Sequence, residues 1–430
     1  MHSHGLPLDE WLTQIEAVTP HEIDLGLERV DALLQRLDLD LPGTVFHVAG
    51  TNGKGSSVAM LESMLRTTGA RVGSYTSPHL LRYNERICVG GIAATDAQII
   101  AAFELIESVR GDVPLTYFEF GTLAAMAVFS RADIEIAVLE VGMGGRLDAV
   151  NAIEPTAGLI TNVSLDHCAW LGDDIEAIAG EKAGIMRAIK PIVFAARDRP
   201  STITERADAL GSRLIAAGRD YEWSIDGDRW SWRGANHELH NLARPNVTGD
   251  IQIQNAAGVL ALLEAAGFES LLRTDVIASA LGDLQLPGRM QSVGQNWLLD
   301  VAHNPAASAA LADALGEQKV AGTTSVILGM LDDKDIEGVV APLSGHVDQW
   351  IAVTADNPRA TPARELARRV ANATHRACLI ADSLSDAIEV ARDRAGPNDR
   401  ILVTGSFYLV GPVLERLKGT PTDTLYSPPQ

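Results

Sequence analysis

The stretch that decides the fold is Val45-Phe46-His47-Val48-Ala49-Gly50-Thr51-Asn52-Gly53-Lys54-Gly55-Ser56-Ser57, in which an apolar strand runs into a glycine-rich turn. The three glycines leave backbone N–H groups unshielded, and a following helix adds the positive end of its dipole. Lys54 can reach the outer phosphates of a nucleotide, and Ser56 or Ser57 can lie near its Mg²⁺. The spacing departs from the strict Walker pattern, and the alternative is an ordinary turn between a strand and a helix. We predict a phosphate-binding loop.

Length and charge narrow the class of protein. The chain has 430 residues, which exceeds the size at which one core stops growing, so we expect two domains. Its net charge of −21 would repel a phosphate backbone, and no apolar run is long enough to cross a bilayer. The opening residues do not resemble a signal peptide. We therefore expect a cytoplasmic protein with no nucleic acid partner and no membrane association.

Cysteine usage agrees with that expectation. Cys88, Cys168 and Cys378 are odd in number and far apart, which suits neither a disulfide framework nor paired zinc ligands. We expect buried or idle thiols at these positions.

Polar residues lie near or just after the ends of three further apolar segments before residue 170. Ser77 follows residues 71–75, Glu140 lies near the end of 134–141, and His167 follows 156–163. A carboxylate delivered at the carboxyl end of a buried parallel strand is the arrangement that holds a nucleotide's magnesium. Each residue alone is more typical of a turn or a helix cap. Together, beside a phosphate loop, they indicate a magnesium site.

Lys182 lies on the same helical face as Ile175, Ile178 and Ile185. One interpretation is a snorkelling side chain whose ammonium reaches water. The other is an amine carbamylated by CO₂, whose new carboxylate would help to bind magnesium.

Helical spacing of apolar residues predicts helices over 8–40 and 255–266, and Thr95 with Gln98 predicts a capping box. Residues 221–233 alternate as a hairpin. Leu286-Pro287-Gly288-Arg289 punctuates the chain, and beyond it strands and helices alternate again. The predicted fold is therefore α/β, with a P-loop ATPase-like domain built on a parallel sheet over 1–287 and a smaller Rossmann-like α/β domain over 288–430. The second domain has no phosphate loop, so its polar strand ends are expected to face the first domain's nucleotide.

Six motifs in this order resemble the folylpolyglutamate synthase family, a branch of the Mur ligase superfamily. They are Gly50-Thr51-Asn52-Gly53-Lys54-Gly55-Ser56, Thr76-Ser77-Pro78-His79-Leu80, Glu140-Val141-Gly142-Met143-Gly144-Gly145-Arg146-Leu147-Asp148, Leu165-Asp166-His167, Gly180-Glu181-Lys182-Ala183-Gly184 and Asp300-Val301-Ala302-His303-Asn304-Pro305. The resemblance spans nearly the whole chain. It implies an ATP-dependent ligase that joins L-glutamate to a folate through an acyl phosphate, in two domains with the active site between them.

The resemblance also implies roles for single residues. ATP is expected at Thr51, Asn52, Gly53, Lys54, Asn255, Arg289 and Asp300; Mg²⁺ at Ser77, Glu140 and His167; a carbamylated lysine at Lys182; and glutamate or the transferred phosphate near His303 and Ser406. Lys54, Lys182 and His303 are the expected catalytic residues. Arg289 has a reason of its own, because a guanidinium at the domain linker can reach phosphate, although a surface salt bridge is the alternative.

Two segments resemble the pterin-binding segments of the bacterial bifunctional enzymes, namely residues 23–29 and 115–122. They imply that the chain adds the first glutamate to dihydropteroate and further glutamates to reduced folates. The expected pterin-binding residues are Asp24, Leu25, Gly26, Leu27, Thr116, Tyr117, Phe118, Glu119, Leu147, Asp148 and Ala149. The aromatic rings can stack on a flat pterin, while Asp24 can accept hydrogen bonds from its N–H groups. The alternative is that Asp24 caps a helix and the aromatic residues are core.

Other functions compete with this interpretation. A kinase-like NTPase would need the loop and the acidic strand ends, but it gives no reason for the motif at 300–305. A nucleotide-binding module without chemistry leaves Lys182 and the second domain unexplained. A synthase that only extends the glutamate chain, or another Mur-type amino-acid ligase, fits the same mechanism. We expect a monomer.

Overall fold

The computed structural model describes residues 5–18 and 24–419. These residues form two compact units that are discontinuous in sequence. The first unit holds the described residues up to Val163 together with Leu171–Pro245 and Gln254–Leu284, and the second holds Ser164–Trp170, Asn246–Ile253 and the described residues from Gln285. Among the described residues, no helix is long and apolar enough to cross a membrane.

The helices and strands alternate along most of the chain. The helices are α1 (Leu8–Val18), α2 (Glu28–Leu37), α3 (Lys54–Arg66), α4 (Asp96–Arg110), α5 (Tyr117–Arg131), α6 (Cys168–Leu171), α7 (Ile175–Lys182), α8 (Ser201–Leu210), α9 (Asp250–Ala265), α10 (Thr274–Gly282), α11 (Pro305–Glu317), α12 (Ile336–Leu343), α13 (Ala363–Thr374), α14 (Leu384–Arg394) and α15 (Phe407–Lys418). The strands are β1 (Thr44–Ala49), β2 (Val72–Tyr75), β3 (Ile87–Val89), β4 (Ile92–Ala93), β5 (Ile136–Glu140), β6 (Ala157–Ile160), β7 (Pro191–Phe194), β8 (Arg213–Ala216), β9 (Glu222–Asp226), β10 (Arg229–Arg233), β11 (Glu238–Ala243), β12 (Gln291–Val293), β13 (Trp297–Leu299), β14 (Thr324–Leu328), β15 (Gln349–Ala352), β16 (Cys378–Ile380) and β17 (Arg400–Thr404).

The described part of the first unit is built on an eight-stranded sheet with the order β4-β3-β2-β5-β1-β6-β7-β8. The strands from β2 to β8 in this order are parallel, whereas β3 and β4 are antiparallel additions at one edge. Side chains of β1 alternate between the two faces, so Val45 and Ala49 belong to the core that α1, α2, α4 and α5 cover. Because β2, β5, β1 and β6 are neighbours, their carboxyl ends lie side by side at one edge. This is the parallel sheet that the sequence predicts.

The sequence predicts helical structure over 8–40, and the structure has two helices there, α1 and α2. Residues 24–27 stand outside both helices, and α2 begins at Glu28. Residues 19–23 lie outside the described part of the chain. The predicted capping box is confirmed, with Thr95 at the N-cap of α4 and Gln98 closing the reciprocal bond.

The predicted hairpin over 221–233 is confirmed as β9 and β10, and Gly227 has the positive φ of 56° that its turn needs. A further strand that the sequence pattern did not predict, β11, pairs with β10 to complete a three-stranded antiparallel sheet. Trp230 and Trp232 are buried on one face of this sheet. Their indole N–H groups donate to the carbonyl oxygens of Ala243 and Ala257.

The described part of the second unit is built on a six-stranded sheet with the order β12-β13-β17-β14-β15-β16. All pairs are parallel except β12 with β13. The alternation of strands and helices predicted beyond Arg289 is present. The sequence did not predict β12 and β16, which have only three residues each. Trp350 and Leu402 lie in the core on one face of this sheet, together with side chains of α11, α12 and α13.

Candidate active site

The glycine-rich turn joins β1 to α3. Gly53 occupies the N-cap of α3 with φ 82°, a left-handed conformation that favours glycine. Gly50 has φ 147°, and a Cβ atom there would lie 1.8 Å from Oγ1 of Thr161. The hydroxyl of Thr161 donates to the carbonyl of Asn52 over 2.6 Å, while Oδ1 of Asn162 accepts from the Asn52 N–H over 3.0 Å. The end of β6 therefore fixes the loop in one conformation.

Lys54 and Asn255 both lie against this loop. Nζ of Lys54 donates to the carbonyl oxygens of Gly50 and Thr51, at 3.2 and 3.3 Å. A Cβ atom added at Gly53 would lie 2.6 Å from Oδ1 of the buried Asn255, so the amide of α9 packs directly on the loop. The structure thus brings together the five predicted ATP residues of the first unit.

Ser77 and Glu140 meet at the ends of the adjacent strands β2 and β5. The N–H of Ser77 donates to Oε2 of Glu140 over 3.1 Å, and Glu140 is buried. The same oxygen would lie 3.4 Å from a Cβ atom at Gly55, so the carboxylate faces the first turn of α3. Hydroxyl and carboxylate oxygens beside a phosphate loop are ligands that suit Mg²⁺. In the described residues, no group of three His, Cys, Asp or Glu side chains could hold a metal. The predicted ligands Ser77, Glu140 and His167 include a serine, so they do not form a group of that kind.

His167 belongs to the second unit, in the segment Ser164–Trp170. Its backbone φ is 51°, an uncommon value for a residue with a side chain. Its N–H donates to Oδ1 of Asp166 over 2.8 Å. Asp166 in turn is held by Lys334 at 2.7 Å and by Nδ2 of Asn304 at 2.9 Å. Residues of α11 and of the loop after β14 therefore fix the segment that carries His167.

The pKa of the Asp166 carboxyl group is strongly shifted by its surroundings. Burial acts to raise its pKa, but the hydrogen bond from His303 and the charges of His167 and Lys334 hold that pKa well below its usual range. The side chains of Asp166 and Lys334 are 7% and 8% exposed, so their ion pair is shielded from water. Lys334 is a residue that the sequence analysis missed, because a lysine in the run Leu331-Asp332-Asp333-Lys334-Asp335 resembles a solvated loop.

Lys182 is the last residue of α7 and is buried at 3% exposed. Ile178 and Ile185 beside it are also buried, which confirms the predicted apolar face. Ile175 is only partly buried. The ammonium is therefore not snorkelling into water, which removes the simpler of the two interpretations. Its carbamylation stays a prediction.

The two predicted pterin segments of the first unit are held together by an arginine. Asp24 accepts from Nη1 of Arg29 over 2.7 Å, and Glu119 accepts from Nε of the same guanidinium over 3.0 Å. Thr116 is the N-cap of α5, and its N–H donates to Oε2 of Glu119 in a capping box. The capping alternative for Asp24 is wrong, because Leu27 occupies the N-cap of α2. Sequence reasoning missed Arg29, which resembles any exposed basic residue in the first turn of a helix.

Phe118 connects the helix α5 to the third predicted pterin segment. A Cβ atom at Gly142 would lie 2.6 Å from the Phe118 ring, which also lies 5.8 Å from the ring of Tyr75, centroid to centroid. Asp148 is buried and accepts from the N–H groups of Met143 and Val150. Burial raises the pKa of Asp148 to about 7, although these two N–H donors and the charge of Lys54 oppose the shift.

Leu25, Gly26 and Leu27 are partly exposed beside Asp24, and Tyr117 is partly exposed beside Phe118. The Tyr117 ring lies 5.8 Å edge-on from that of Tyr83. In the third segment Leu147 is partly buried and Ala149 is buried. Tyr117 and Phe118 thus keep some accessible surface, as a stacking role requires.

Arg289 and Asp300 lie in the second unit. The Asp300 carboxylate accepts from the N–H groups of Met290 and Ala302, at 2.9 and 2.8 Å. Desolvation raises the pKa of Asp300, and the charge of Arg289 opposes that shift. The guanidinium of Arg289 lies 5.1 Å from the centroid of the Phe407 ring, a cation–π distance.

His303 and Ser406 have local partners that the sequence did not reveal. Nδ1 of His303 lies 2.9 Å from the carbonyl oxygen of Val301, and Nε2 lies 3.5 Å from Asp166. Ser406 is the N-cap of α15, where its hydroxyl accepts from the N–H of Tyr408 over 3.1 Å. Ser406 is buried, so its structural role as a cap is clear, while a contact with glutamate stays a prediction.

Comparison with known proteins gives a consistent result. A family described as "Mur ligase middle domain" matches residues 48–263, and one described as "Mur ligase, glutamate ligase domain" matches residues 288–407. Over 412 residues the chain is 40% identical to the dihydrofolate synthase/folylpolyglutamate synthase of Escherichia coli (strain K12), with 95% of each chain covered.

Solved structures agree with the sequence matches. The structure of E. coli FolC in complex with DHPP and ADP is 39% identical and covers 97% of this chain and 99% of its own, with a TM-score of 0.92. A bifunctional folylpolyglutamate synthase/dihydrofolate synthase with Mn, AMPPNP and L-glutamate bound is 40% identical and covers 96% of this chain and 98% of its own, with a TM-score of 0.89.

Proposed function

Since the chain belongs to the Mur ligase family, in the branch of the dihydrofolate synthase/folylpolyglutamate synthases, we propose that it joins L-glutamate first to dihydropteroate and then to reduced folates. It is an ATP-dependent, amide-forming ligase that uses a divalent metal such as Mg²⁺. The observation that carries this conclusion is the match over 97% of the chain to a FolC structure that binds DHPP and ADP. The predicted α/β fold and the predicted enzyme class are both confirmed by these comparisons.

The first chemical step is phosphoryl transfer. The carboxylate of the pterin substrate attacks the γ-phosphorus of ATP, the bond to the β,γ-bridging oxygen breaks, and an acyl phosphate and ADP result. The loop from Thr51 to Lys54 cradles the phosphates, and Lys54 exchanges its contacts with the loop carbonyls for contacts with phosphate oxygens. Ser77, Glu140 and His167 are the proposed metal ligands. A bound Mg²⁺ would offset negative charge on the phosphates.

The second step forms the amide bond. The amine of glutamate attacks the acyl carbon, loses a proton and displaces inorganic phosphate. Asn255 against the loop, and Arg289 with Asp300 in the second unit, are the proposed further contacts of ATP. His303 and Ser406 are the proposed contacts of glutamate. The backbone N–H groups of His167, Tyr408 and Ala307 donate to the side chains of Asp166, Ser406 and Asn304, and these local bonds favour one conformation of the polar strand ends.

A ligation assay tests the function directly. Purified protein is expected to release phosphate from ATP with dihydropteroate plus glutamate, and separately with a tetrahydrofolate plus glutamate, and mass spectrometry should find each product one glutamate heavier. Phosphate release that needs no amino acid would indicate a kinase-like NTPase instead. If product forms with tetrahydrofolate plus glutamate but not with dihydropteroate plus glutamate, the enzyme is a synthase that only extends the glutamate chain.

Phe118→Ala probes the pterin pocket in the same assay. The substitution removes a ring that can stack on the pterin, a contact worth about 1 kcal/mol, and so we expect several-fold lower kcat/KM with dihydropteroate. Tetrahydrofolate already carries a glutamate that supplies further binding contacts, so its reaction should suffer less. An equal loss with both substrates would argue that Phe118 only fills space beside Gly142.

Lys182 is proposed to carry a carbamate that supports the metal site. Its 3% exposure supports this assignment, because burial disfavours a charged ammonium and so favours the neutral amine that reacts with CO₂. We expect Lys182→Ala to lower ligation by about 10- to 100-fold, as the loss of a group that supports metal binding typically does. A short-chain carboxylic acid is expected to restore part of the activity.

The matched control for Lys182 is Lys190→Ala, which removes a partly exposed lysine paired with Glu154 in the same unit. That variant should ligate normally. Full activity in Lys182→Ala, or an intact mass without the added 44 daltons of CO₂ under conditions of full activity, would contradict carbamylation.

The proposal also places the enzyme in the cytoplasm as a monomer. Cys88, Cys168 and Cys378 are free thiols, which suits a reducing compartment. Cys88 and Cys378 are partly buried, whereas Cys168 is exposed. Light scattering at assay concentrations tests the monomer.

A further inference from the structure

Arg29 lies in the first turn of α2 and bonds to two separate parts of the first unit. Its Nε donates to both carboxylate oxygens of Glu119, at 3.0 and 3.3 Å. Its Nη1 donates to Oδ2 of Asp24 over 2.7 Å, and its Nη2 donates to the main-chain carbonyl of Asp24, also over 2.7 Å. One guanidinium therefore ties the loop before α2 to the start of α5.

The Glu119 end of this bridge is rigid. Glu119 is 3% exposed, and one of its oxygens also accepts from the N–H of Thr116, 2.7 Å away, in the capping box of α5. The carboxylate is thus fixed by the helix that carries Tyr117 and Phe118. Among the described residues, Arg29 is the only cation paired with this buried carboxylate.

The Asp24 end of the bridge is open. The Asp24 side chain is 45% exposed, against 23% for Arg29 and 4% for Glu119. Among the described residues its second oxygen, Oδ1, has no hydrogen-bond partner. A carboxylate held at one oxygen presents the other in a fixed direction, which is the arrangement that an adjacent pair of N–H donors on a heterocycle can use.

We infer that Arg29 is a positioning residue for the pterin substrate, which sets the Asp24 carboxylate at a fixed place relative to the aromatic residues of α5. The inference rests on the proposed function, because it takes Asp24 and Phe118 as contacts of the pterin. Arg29 itself acts through Asp24. Without the bridge, the loop at 24–27 is free to move relative to α5, and the substrate must restrict that motion when it binds.

The geometry requires arginine rather than any cation. Nε, Nη1 and Nη2 serve two carboxylates and one carbonyl at once, which a planar fork of five N–H donors allows. A lysine ammonium in the same place keeps the positive charge next to buried Glu119 but cannot span both groups. Arg29→Lys therefore separates bridging from charge compensation, and it avoids leaving Glu119 without a cation.

The test measures steady-state kinetics of the full-length enzyme with dihydropteroate, ATP and glutamate varied in turn. For Arg29→Lys we expect the KM for dihydropteroate to rise about tenfold, while kcat and the KM values for ATP and glutamate stay within twofold of the parent. Arg36→Met is the matched control. Arg36 lies in the last turn of the same helix, and its Nη1 donates to the carbonyl oxygens of Val109 and Arg110. This control should leave all the KM values unchanged.

A double variant tests whether Arg29 acts through Asp24. If it does, Arg29→Lys combined with Asp24→Asn should raise the KM for dihydropteroate no further than Asp24→Asn alone. Effects that multiply instead would overturn the inference, because they would mean that the two residues act independently. A purely structural role predicts a lower melting temperature with an unchanged KM in Arg29→Lys, and that result would also overturn it.

Failure of the proposed function gives a different result. If the parent enzyme turns over no dihydropteroate, the proposed first ligation is wrong and the inference falls with it. If the parent turns over dihydropteroate and Arg29→Lys has the parent's KM, only the inference is wrong.

Discussion

His47 lies in β1 between Val48 and Phe46 and has no exposed surface. Neither of its ring nitrogens has a hydrogen-bond partner among the described residues. Burial lowers the pKa of His47 to about 3, and the charges of Arg187 and Lys190 act in the same direction. The imidazole is therefore neutral in the folded protein throughout the range in which a histidine of the unfolded chain becomes charged.

The sign of the resulting pH dependence follows from linkage. Below pH 6.5 the unfolded chain binds a proton at His47 that the folded protein does not bind until about pH 3, so acid favours unfolding across this window. Each pH unit costs about 1.4 kcal/mol. We therefore expect the free energy of unfolding, measured with urea, to fall between pH 7 and pH 5 by about 2 kcal/mol less in His47→Leu than in the parent. His240→Leu, at an exposed imidazole, is the control and should keep the parent's loss. Equal losses in His47→Leu and the parent would contradict this account.

The buried pair of Asp166 and Lys334 leads to a second prediction at this scale. Lys334→Met leaves the Asp166 carboxylate buried without its ammonium partner 2.7 Å away, and breaking a buried pair in this way costs about 3 kcal/mol. We expect a lower melting temperature. Adding Asp166→Asn should recover part of the loss, because a neutral amide needs no counter-charge. Lys319→Met, at an exposed lysine of the same unit, should change the melting temperature little. A Lys334→Met variant as stable as this control would contradict the prediction.

At the scale of elements, the loop between β1 and α3 depends on one close approach. In Gly50→Ala the new methyl group would meet the Thr161 hydroxyl at 1.8 Å, and that hydroxyl is itself held by the carbonyl of Asn52. We expect the loop to shift and ATP affinity, measured by calorimetry, to fall at least about tenfold, which is 1.4 kcal/mol. Gly43→Ala is the control, since a Cβ atom there meets nothing within 4 Å. Normal nucleotide binding by Gly50→Ala would mean that the loop conformation is not needed.

Elements with a strong periodic pattern could be predicted from the sequence. The apolar runs that became β1, β5 and β6, and the capping box of α4, depend on local side chains that the chain itself displays. The break between α1 and α2 was missed, because the apolar spacing continues into α2 and hides it. The short strands β12 and β16 were missed because they are stabilised by their neighbours in the sheet rather than by their own residues.

The site could be predicted only in part for a related reason. Ser77 and Glu140 could be placed together because adjacent parallel strands end at one edge. Four further residues bond to partners that are 90 or more residues away in the chain, namely Arg29, Thr161, Asn162 and Lys334. Arg29 also bonds to the nearby Asp24. No local pattern marks such residues, so only the folded structure reveals them.

At the scale of the whole molecule, the proposed boundary at 287/288 follows a break in sequence pattern, whereas the compact units are discontinuous. The segments Ser164–Trp170 and Asn246–Ile253 pack with the second unit although both are surrounded in sequence by the first. No sequence motif separates these two segments from the first unit, so only the folded structure assigns them to the second. A single boundary at 287/288 therefore does not separate the two compact units, because two segments before it belong to the second unit.

The placement of Ser164–Trp170 also bears on how such an enzyme can evolve. A recombination event with a breakpoint near residue 285 would transfer the six-stranded sheet and Lys334 but would leave Asp166 behind. The transferred segment would then carry the buried Lys334 without the carboxylate that lies 2.7 Å from its ammonium, and only Asp333 at 3.6 Å would travel with it. We expect recombination in this family to exchange the whole gene, because the part after residue 285 lacks Asp166, which belongs to the same compact unit.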